Sequence, residues 1–345
     1  KTDIDYTDVQ EIDADILLGH RRLSIIDVSI SGHQPMIDPE TNNVIIFNGE
    51  IYNYVEIRNE LLTKGHEFHT NSDTEVIMKA YLEYGENCFL LFNGMWSIVI
   101  WDNRNRKTVL SNDRFGVKPL YYFQNENVLV AFSELKQFLL FDRKYQEISE
   151  DKINAFILNE NASNITENYF KNVKRFQPSC FSVFGMSDWT ISPKVYYSIN
   201  NKETKAIGDL YDSFNELFKR AIELRLRSDV GYGIGLSGGL DSSMVLAEVV
   251  KQNKNKTQSF SAVFPGYKED ESVFMDEMIR NFDVSSKKIN PLEEFSTEDF
   301  IKHIFHLEMP VKTTSYYAQW NVAKLSRRNG NTVLLVGQGA DEVFA

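Results

Sequence analysis

The stretch YGIGLSGGLDSSMVLAEVV, Tyr232 to Val250, constrains the fold more than any other. An apolar run passes through a glycine pair straight into a pattern of helical period, and a strand that turns directly into a helix belongs to a βα unit. Its surroundings repeat the theme. A long amphipathic helix is expected through Leu210, Phe214, Leu217, Phe218, Ala221 and Leu224, and the strand-like SFSAVF and TVLLVG follow with a helix between them. Alternation of strand and helix predicts an α/β half built on a parallel sheet.

Before Gly208 the pattern is different. NNVIIF (Asn42 to Phe47) reads as a strand that runs into a helix across NGEIYN, with Tyr54, Ile57, Leu61 and Leu62 at helical spacing up to Gly65. SDTEVIMKAYLEYG opens with Ser72 and Glu75 at capping-box spacing and stops at Gly85. WSIVIWD, KTVLSND, LYYF and NVLVAF, parted by the turn-rich DNRNR and QNEN, predict an antiparallel meander. This half is therefore expected to be α+β, with stacked antiparallel sheets and flanking helices. The polar stretch SINNKETKAIGD, Ser198 to Asp209, is the natural linker, giving domains 1–198 and 208–345.

Charge and cysteine content narrow the function. The 345 residues carry 37 Lys and Arg against 49 Asp and Glu, a net charge of −12, which argues against nucleic acid as a partner. Cys88 and Cys180 do not form a CxxC and lie in apolar segments, so they are expected to be packed core residues, with neither a disulfide framework nor a zinc site. No apolar run approaches the ~20 residues of a membrane span, so no membrane is expected and a cytoplasmic setting is.

The glycine pair has its own chemistry. Between a buried strand and a helix start, Gly238 and Gly239 let backbone N–H groups converge on an anion where the helix dipole favours negative charge. A simple helix cap by Asp241 or Ser242 is the ordinary alternative. No lysine follows the glycines, so the loop is not a Walker A motif. SGGxDS, Ser237 to Ser242, resembles instead the PP-loop of the ATP pyrophosphatases. That resemblance implies cleavage of ATP between the α- and β-phosphates, with Ser237, Ser242 and Ser243 on the pyrophosphate and Asp241 helping to hold Mg2+.

Seven ordered motifs extend the resemblance over nearly the whole chain. GHRRLSIID (Gly19 to Asp27), FNGEIYNY (Phe47 to Tyr54), NSDTEV (Asn71 to Val76), NDRFGVKPLYY (Asn112 to Tyr122), FSELK (Phe132 to Lys136), LSGGLDSS and GQGADEVF (Gly337 to Phe344) resemble those of glutamine-hydrolysing asparagine synthetases. The family joins a class II glutamine amidotransferase domain, Ntn-hydrolase-like, to a PP-loop ATP pyrophosphatase domain. The resemblance implies that Arg22, Asn48, Gly49, Glu50 and Asp73 grip glutamine. Arg22 suits its α-carboxylate, Glu50 and Asp73 its ammonium, and the Asn48 side chain with the Gly49 N–H an oxyanion hole. Taken singly, Asp73 could be a helix cap, Gly49 a hairpin turn and Arg22 an ion-paired surface residue. Asp113, Arg114 and Lys118 are assigned to fixing the sheet and the domain contact rather than to catalysis.

For the second half the resemblance implies Leu236, Ser237, Gly238, Gly239, Asp241, Ser242, Ser243, Val263 and Gly339 as ATP residues, with Asp241 and Asp341 on Mg2+. A homodimer is implied by family analogy. The expected function is an amidotransferase using glutamine-derived ammonia on an adenylated carboxylate, aspartate or a related acid such as a sugar carboxylate.

The sequence departs from the family in two places. The class II nucleophile is an N-terminal cysteine, whereas this sequence begins at Lys1 and ends at Ala345 inside a motif, so both ends are expected to be cut. Gln338 stands where asparagine synthetases usually carry glutamate, which leaves the acceptor open. The alternatives are an ammonia-dependent or intramolecular amide synthetase with a vestigial glutaminase, as in the β-lactam synthetases, and a catalytically dead regulatory subunit. A tRNA-thiolation enzyme would want basic surface and more cysteines than this chain has.

Overall fold

The computed structural model describes residues 15–158, 167–199, 210–253 and 257–341. Its first sheet grows around WSIVIWD, which is buried at every step because both faces are covered. β3 (Gly94–Asp102) sits between β2 (Val44–Ile51) and β4 (Lys107–Asn112) in the antiparallel order β1-β2-β3-β4-β8-β9. The outer strands are β1 (Met36–Ile37), β8 (Cys180–Gly185) and β9 (Lys194–Val195).

Alternation along the strands splits the core in two. Ile45, Phe47, Trp96, Ile98 and Ile100 face one way, against α1 (Tyr54–Thr63), α2 (Asp73–Tyr84) and α3 (Cys88–Leu91). Val99 and Leu110 face the other way, against Leu120, Phe176 and Cys180. This second layer leads into a three-stranded antiparallel sheet, β5 (Tyr121–Gln124), β6 (Leu129–Phe132) and β7 (Val173–Arg175), with α4 (Glu150–Ile157) in the connection from β6 to β7. Stacked antiparallel sheets are thus present, but the four expected strands are not one meander.

The chain leaves the first sheet after β4 because of Asp113. Its buried carboxylate accepts the N–H groups of Phe115, Val117 and Lys118 at 3.0 Å each, and that of Trp96 at 3.1 Å. Gly116 supplies the left-handed backbone this turn needs, at φ 64°.

The second half is a parallel sheet of order β12-β11-β10-β13, made of β10 (Tyr232–Gly235), β11 (Gln258–Ala262), β12 (Ser285–Ile289) and β13 (Val333–Leu335). Ile234 and Leu236 pack with Ile222 of α5 (Leu210–Arg225), with Val245, Leu246 and Val249 of α6 (Leu240–Gln252), and with Met275 of α7 (Ser272–Phe282). Where one helix was expected before β13, the structure has α7, β12, α8 (Thr297–Leu307) and α9 (Ser315–Arg328). β12 is SSKKI, a largely solvent-facing edge strand whose lysines hide the apolar alternation a strand normally shows. The linker from residue 200 to 209 lies outside the described residues.

Two smaller expectations need correction. Ser72 caps α2 through the Thr74 N–H, but Glu75 does not close a capping box. Its carboxylate accepts the N–H groups of His69 and Thr70 instead, at 2.8 and 2.7 Å. The strand through Asn42 to Phe47 also continues to Ile51, so Gly49 lies inside β2 and not in a turn.

Replacing Asp113 by Ala leaves its four N–H partners without their buried acceptor. At about 1–3 kcal/mol for each buried donor that finds no other partner, the variant is expected to lose on the order of 3 kcal/mol or more in urea unfolding. A loss below about 1 kcal/mol would show that the turn holds itself without the carboxylate.

Candidate functional site

Antiparallel pairing decides which way each N–H of β2 points. Trp96 exchanges bonds with Asp113 on the β4 side, so its partner Gly49 belongs to a pair that does not hydrogen-bond across β2 and β3. The N–H groups of Phe47, Gly49 and Ile51 therefore all point off the far edge of β2. β1 covers that edge only at Val44 and Ile45. Beyond it side chains take over: Gln34 Oε1 accepts the Phe47 N–H at 2.5 Å and Asp73 Oδ2 accepts the Ile51 N–H at 3.1 Å. Gly49 lies between them, its N–H directed at the same opening.

Glycine is required at this position by close approach. A Cβ on Gly49 would stand 2.0 Å from the Met95 carbonyl oxygen, and one on Gly94 would stand 2.1 Å from that of Glu50. Asn48 is half-buried beside it.

Two buried acids stand beside this edge, and with it they make up the candidate pocket. Glu50 is buried, and burial, with the nearby Asp73 charge, pushes its carboxyl up to about 7 against the pull of Lys118 and Arg225. Burial likewise pushes Asp73 up to about 6, opposed by the Ile51 N–H and by Arg22. The Arg22 guanidinium is half-buried, donating from Nη2 to the Ile26 carbonyl at 2.7 Å. It lies flat against Gly32, where a Cβ would be 2.6 Å from both terminal nitrogens.

Arg225 is the residue that motif reading missed, and Lys118 the one it set aside as structural. Burial lowers the Lys118 ammonium from its ordinary range while Glu50 and Asp113 raise it. Arg225 arrives from the end of α5 in the other half of the chain, its guanidinium 4.8 Å from the Tyr52 ring centre. Only Lys118 carried a signal, through its place in NDRFGVKPLYY. Cys88 and Cys180 are both buried free thiols pushed up by burial, which suits core residues and not nucleophiles.

A second cluster forms at the carboxyl ends of the parallel strands, where α/β sheets bind ligands. Gly239 is the N-cap of α6, so the first-turn N–H groups there have no side-chain cap. Gly238 takes φ 91°, and a Cβ would meet Glu271 at 3.0 Å. The loop is prebuilt by its serines: Ser237 Oγ and Ser242 Oγ are 3.0 Å apart, Ser237 Oγ accepts the Gly239 N–H, and Ser242 Oγ donates to the Gly239 carbonyl. Ser243 is half-buried on the same turn.

The loop after β13 lies on this turn, since a Cβ on Gly337 would be 2.7 Å from the Ser242 nitrogen and 2.9 Å from Asp241 Cβ. Gly339, at φ 95°, and Asp341 follow on that loop. Leu236 is buried with its N–H on Phe260, and Val263 gives its N–H to Ile289, so each has backbone bonds in the sheet. Among the described residues no group of three or more His, Cys, Asp or Glu side chains could hold a metal ion. Asp241 and Asp341 therefore fit only a cation that arrives with phosphate oxygens, the usual habit of Mg2+.

With both clusters in place, comparison with known proteins is decisive. The glutamine amidotransferase domain family matches residues 5–197, and the asparagine synthase family matches residues 213–345. The chain belongs to the glutamine-hydrolysing asparagine synthetase family. It is 33% identical to glutamine-hydrolyzing asparagine synthetase 1 of Bacillus subtilis over 96% of its own length and 52% of that protein. It is 32% identical to putative glutamine-hydrolyzing asparagine synthetase 2 of Methanocaldococcus jannaschii, over 95% of this chain and 66% of that one. Amidase chyE of Penicillium rubens is 26% identical over 95% of this chain and 51% of its own. The synthetase-family chain thus spans about half to two thirds of these relatives. No helix among its described residues is long and apolar enough to cross a membrane.

The raised Glu50 carboxyl has a signed consequence for this family member. Its folded pKa lies above the unfolded value, so its contribution to stability is complete below about pH 4 and is lost as pH rises through about 7. Glu50→Gln is expected to match wild type near pH 4 and to exceed it by roughly 2–3 kcal/mol at pH 8, read from urea midpoints. Equal stability at pH 8 would show that the acid is not desolvated in the empty pocket.

Proposed function

We propose that this chain forms part of an ATP-dependent amidotransferase that takes nitrogen from glutamine, with residues 1–198 as the glutaminase half and 208–345 as the nucleotide half. The observation that carries the glutamine reading is the buried acid pair Glu50 and Asp73 set near the Arg22 guanidinium. A zwitterionic α-amino acid complements that arrangement: its ammonium relieves two acids whose charge burial opposes, and Arg22 takes its carboxylate. The Gly49 N–H and the Asn48 amide then bind the oxyanion that forms when a thiol attacks the side-chain amide. That thiol is neither Cys88 nor Cys180, the two cysteines of this sequence.

In the second half, the Ser237–Ser243 loop, Val263 and Gly339 would hold ATP, with Asp241 and Asp341 on Mg2+. Bound there, the nucleotide would activate a carboxylate toward ammonia, with AMP and pyrophosphate as products. The acceptor is proposed to be aspartate or a related acid such as a sugar carboxylate; the glutamine-hydrolyzing asparagine synthetases among the relatives favour aspartate, and Gln338 favours a departure from it. A cytoplasmic setting accords with free thiols at both cysteines.

Calorimetry with L-glutamine tests the first site without needing the thiol. Binding is expected to strengthen from pH 6 to pH 8 as Glu50 loses its proton. Asp73→Asn keeps an acceptor for the Ile51 N–H but removes the charge, and should weaken binding by about 10–100-fold. Unchanged affinity in that variant would sink the ammonium assignment. For the second site, ATP consumption by the full-length gene product without pyrophosphate release would overturn the proposal.

A further inference from the structure

The geometry points to the segment RLRSD, Arg225 to Asp229 of the nucleotide half, as a positioning element of the glutamine pocket in the other half. This rests on the glutamine reading above and adds to it residues that touch no substrate.

The bonds of this segment end on backbone next to the pocket residues. Asp229 Oδ2 accepts the Asp27 N–H at 2.7 Å, and the Asp229 N–H donates to the Ile25 carbonyl at 3.0 Å. Together they fasten Ile25 to Asp27. That stretch contains the Ile26 carbonyl on which the Arg22 guanidinium is anchored at 2.7 Å. Asp27 passes the restraint on: its Oδ2 accepts the Asn71 N–H at 3.0 Å, two residues before Asp73.

Arg227 acts on the opposite wall. Its Nη1 donates to the Tyr52 carbonyl at 2.9 Å, and the guanidinium grips Glu56 with both arms. Tyr52 follows Ile51, whose N–H ends on Asp73. Hence Arg22, Glu50 and Asp73 are each within a few bonds of an atom held by RLRSD. A contact that served adhesion alone would be expected to end on side chains, as the Arg220–Glu56 pair does. The bonds from Asp229 to Ile25 and Asp27 and from Arg227 to Tyr52 end on main chain, unlike the Arg227–Glu56 pair, and so fix the place of that backbone whatever rotamers its side chains adopt.

Asp229→Ala in the full-length gene product is the test, with Asp229→Asn, which retains an acceptor oxygen, as the conservative partner. The Ala variant is expected to raise the KM for glutamine at least tenfold while amide synthesis from added ammonia stays within twofold of wild type, and the Asn variant should recover most of the loss. A fall of glutamine- and ammonia-dependent rates together would mark a general folding role and overturn the proposal, as would an unchanged glutamine KM. Hydrogen exchange at the Asp27 and Asn71 amides reads the clasp itself. Faster exchange in the Ala variant supports positioning, and unchanged exchange overturns it. Faster exchange in the Ala variant, together with a wild-type protein that never uses glutamine, would refute the glutamine reading alone, so the two failures are distinguishable.

Discussion

Three N–H groups of β2, those of Phe47, Gly49 and Ile51, have no strand to bond to, and the candidate site is built on that edge. A buried amide without an acceptor is costly, so a strand edge that is neither paired nor wet must be met by something else. Gln34 meets Phe47 and Asp73 meets Ile51, and these two side chains also bring the segment before β1 and the start of α2 against the strand. The Gly49 N–H between them is the donor left facing the pocket. The close approach of β2 and β3 at Gly49 and Gly94 keeps this edge straight, since any side chain there would collide with backbone and not with a yielding neighbour. An unpaired donor thus comes from ordinary sheet geometry, once one neighbouring strand is too short to use it.

Carboxylates do most of the fastening, and they fall into two kinds. Burial works against the charge of Asp38, but the Lys79 ammonium at 2.7 Å and the Thr41 donors outweigh it and hold the group below the usual carboxylate range. Asp27 behaves alike, burial being outweighed by Ser29 and Asn71. Glu50 and Asp73 are raised instead, because burial outweighs what surrounds them. Asp27 and Asp38 are thus satisfied by their neighbours, whereas Glu50 and Asp73 are not. That contrast is the energetic ground for proposing Glu50 and Asp73 as ligand-binding acids, since a fold gains nothing from keeping an acid pair whose charge burial opposes.

How much was legible follows from what each residue depends on. The strand, glycine loop and helix of Tyr232 to Val250 could be read because their signals are local: period, turn chemistry and a helix start within nineteen residues. Asn48, Gly49 and Glu50 could be named from one short motif. The split of the expected meander could not, because β4 and β5 are each good strands and only the N–H groups gathered by Asp113 send them to different sheets. β12 was hidden by its edge position, and the capping box failed because Glu75 found nearer donors in His69 and Thr70. Lys118 and Arg225 matter through charge and burial, which exist only after the chain has folded.

The contact between the halves belongs to that last class, yet its logic is simple. Asp229 bonds to Asp27 across 202 residues, and Glu308 receives the N–H groups of Leu135 and Lys136 across more than 170. Each joint is a carboxylate accepting main-chain N–H groups, so each fixes backbone to side chain and tolerates little sliding. Asp229 is also followed, after two residues, by β10, a strand hydrogen-bonded on both sides whose far end opens into Ser237 to Ser243. Four residues of strand span only about 13 Å. The segment that holds Ile25–Asp27 and the loop shaped for phosphate are therefore the two ends of one stiff element. A displacement of one end cannot be absorbed within β10 without breaking its bonds to β11 or β13, so the spacing between the Ile25–Asp27 stretch and the Ser237–Ser243 loop is set by the sheet itself.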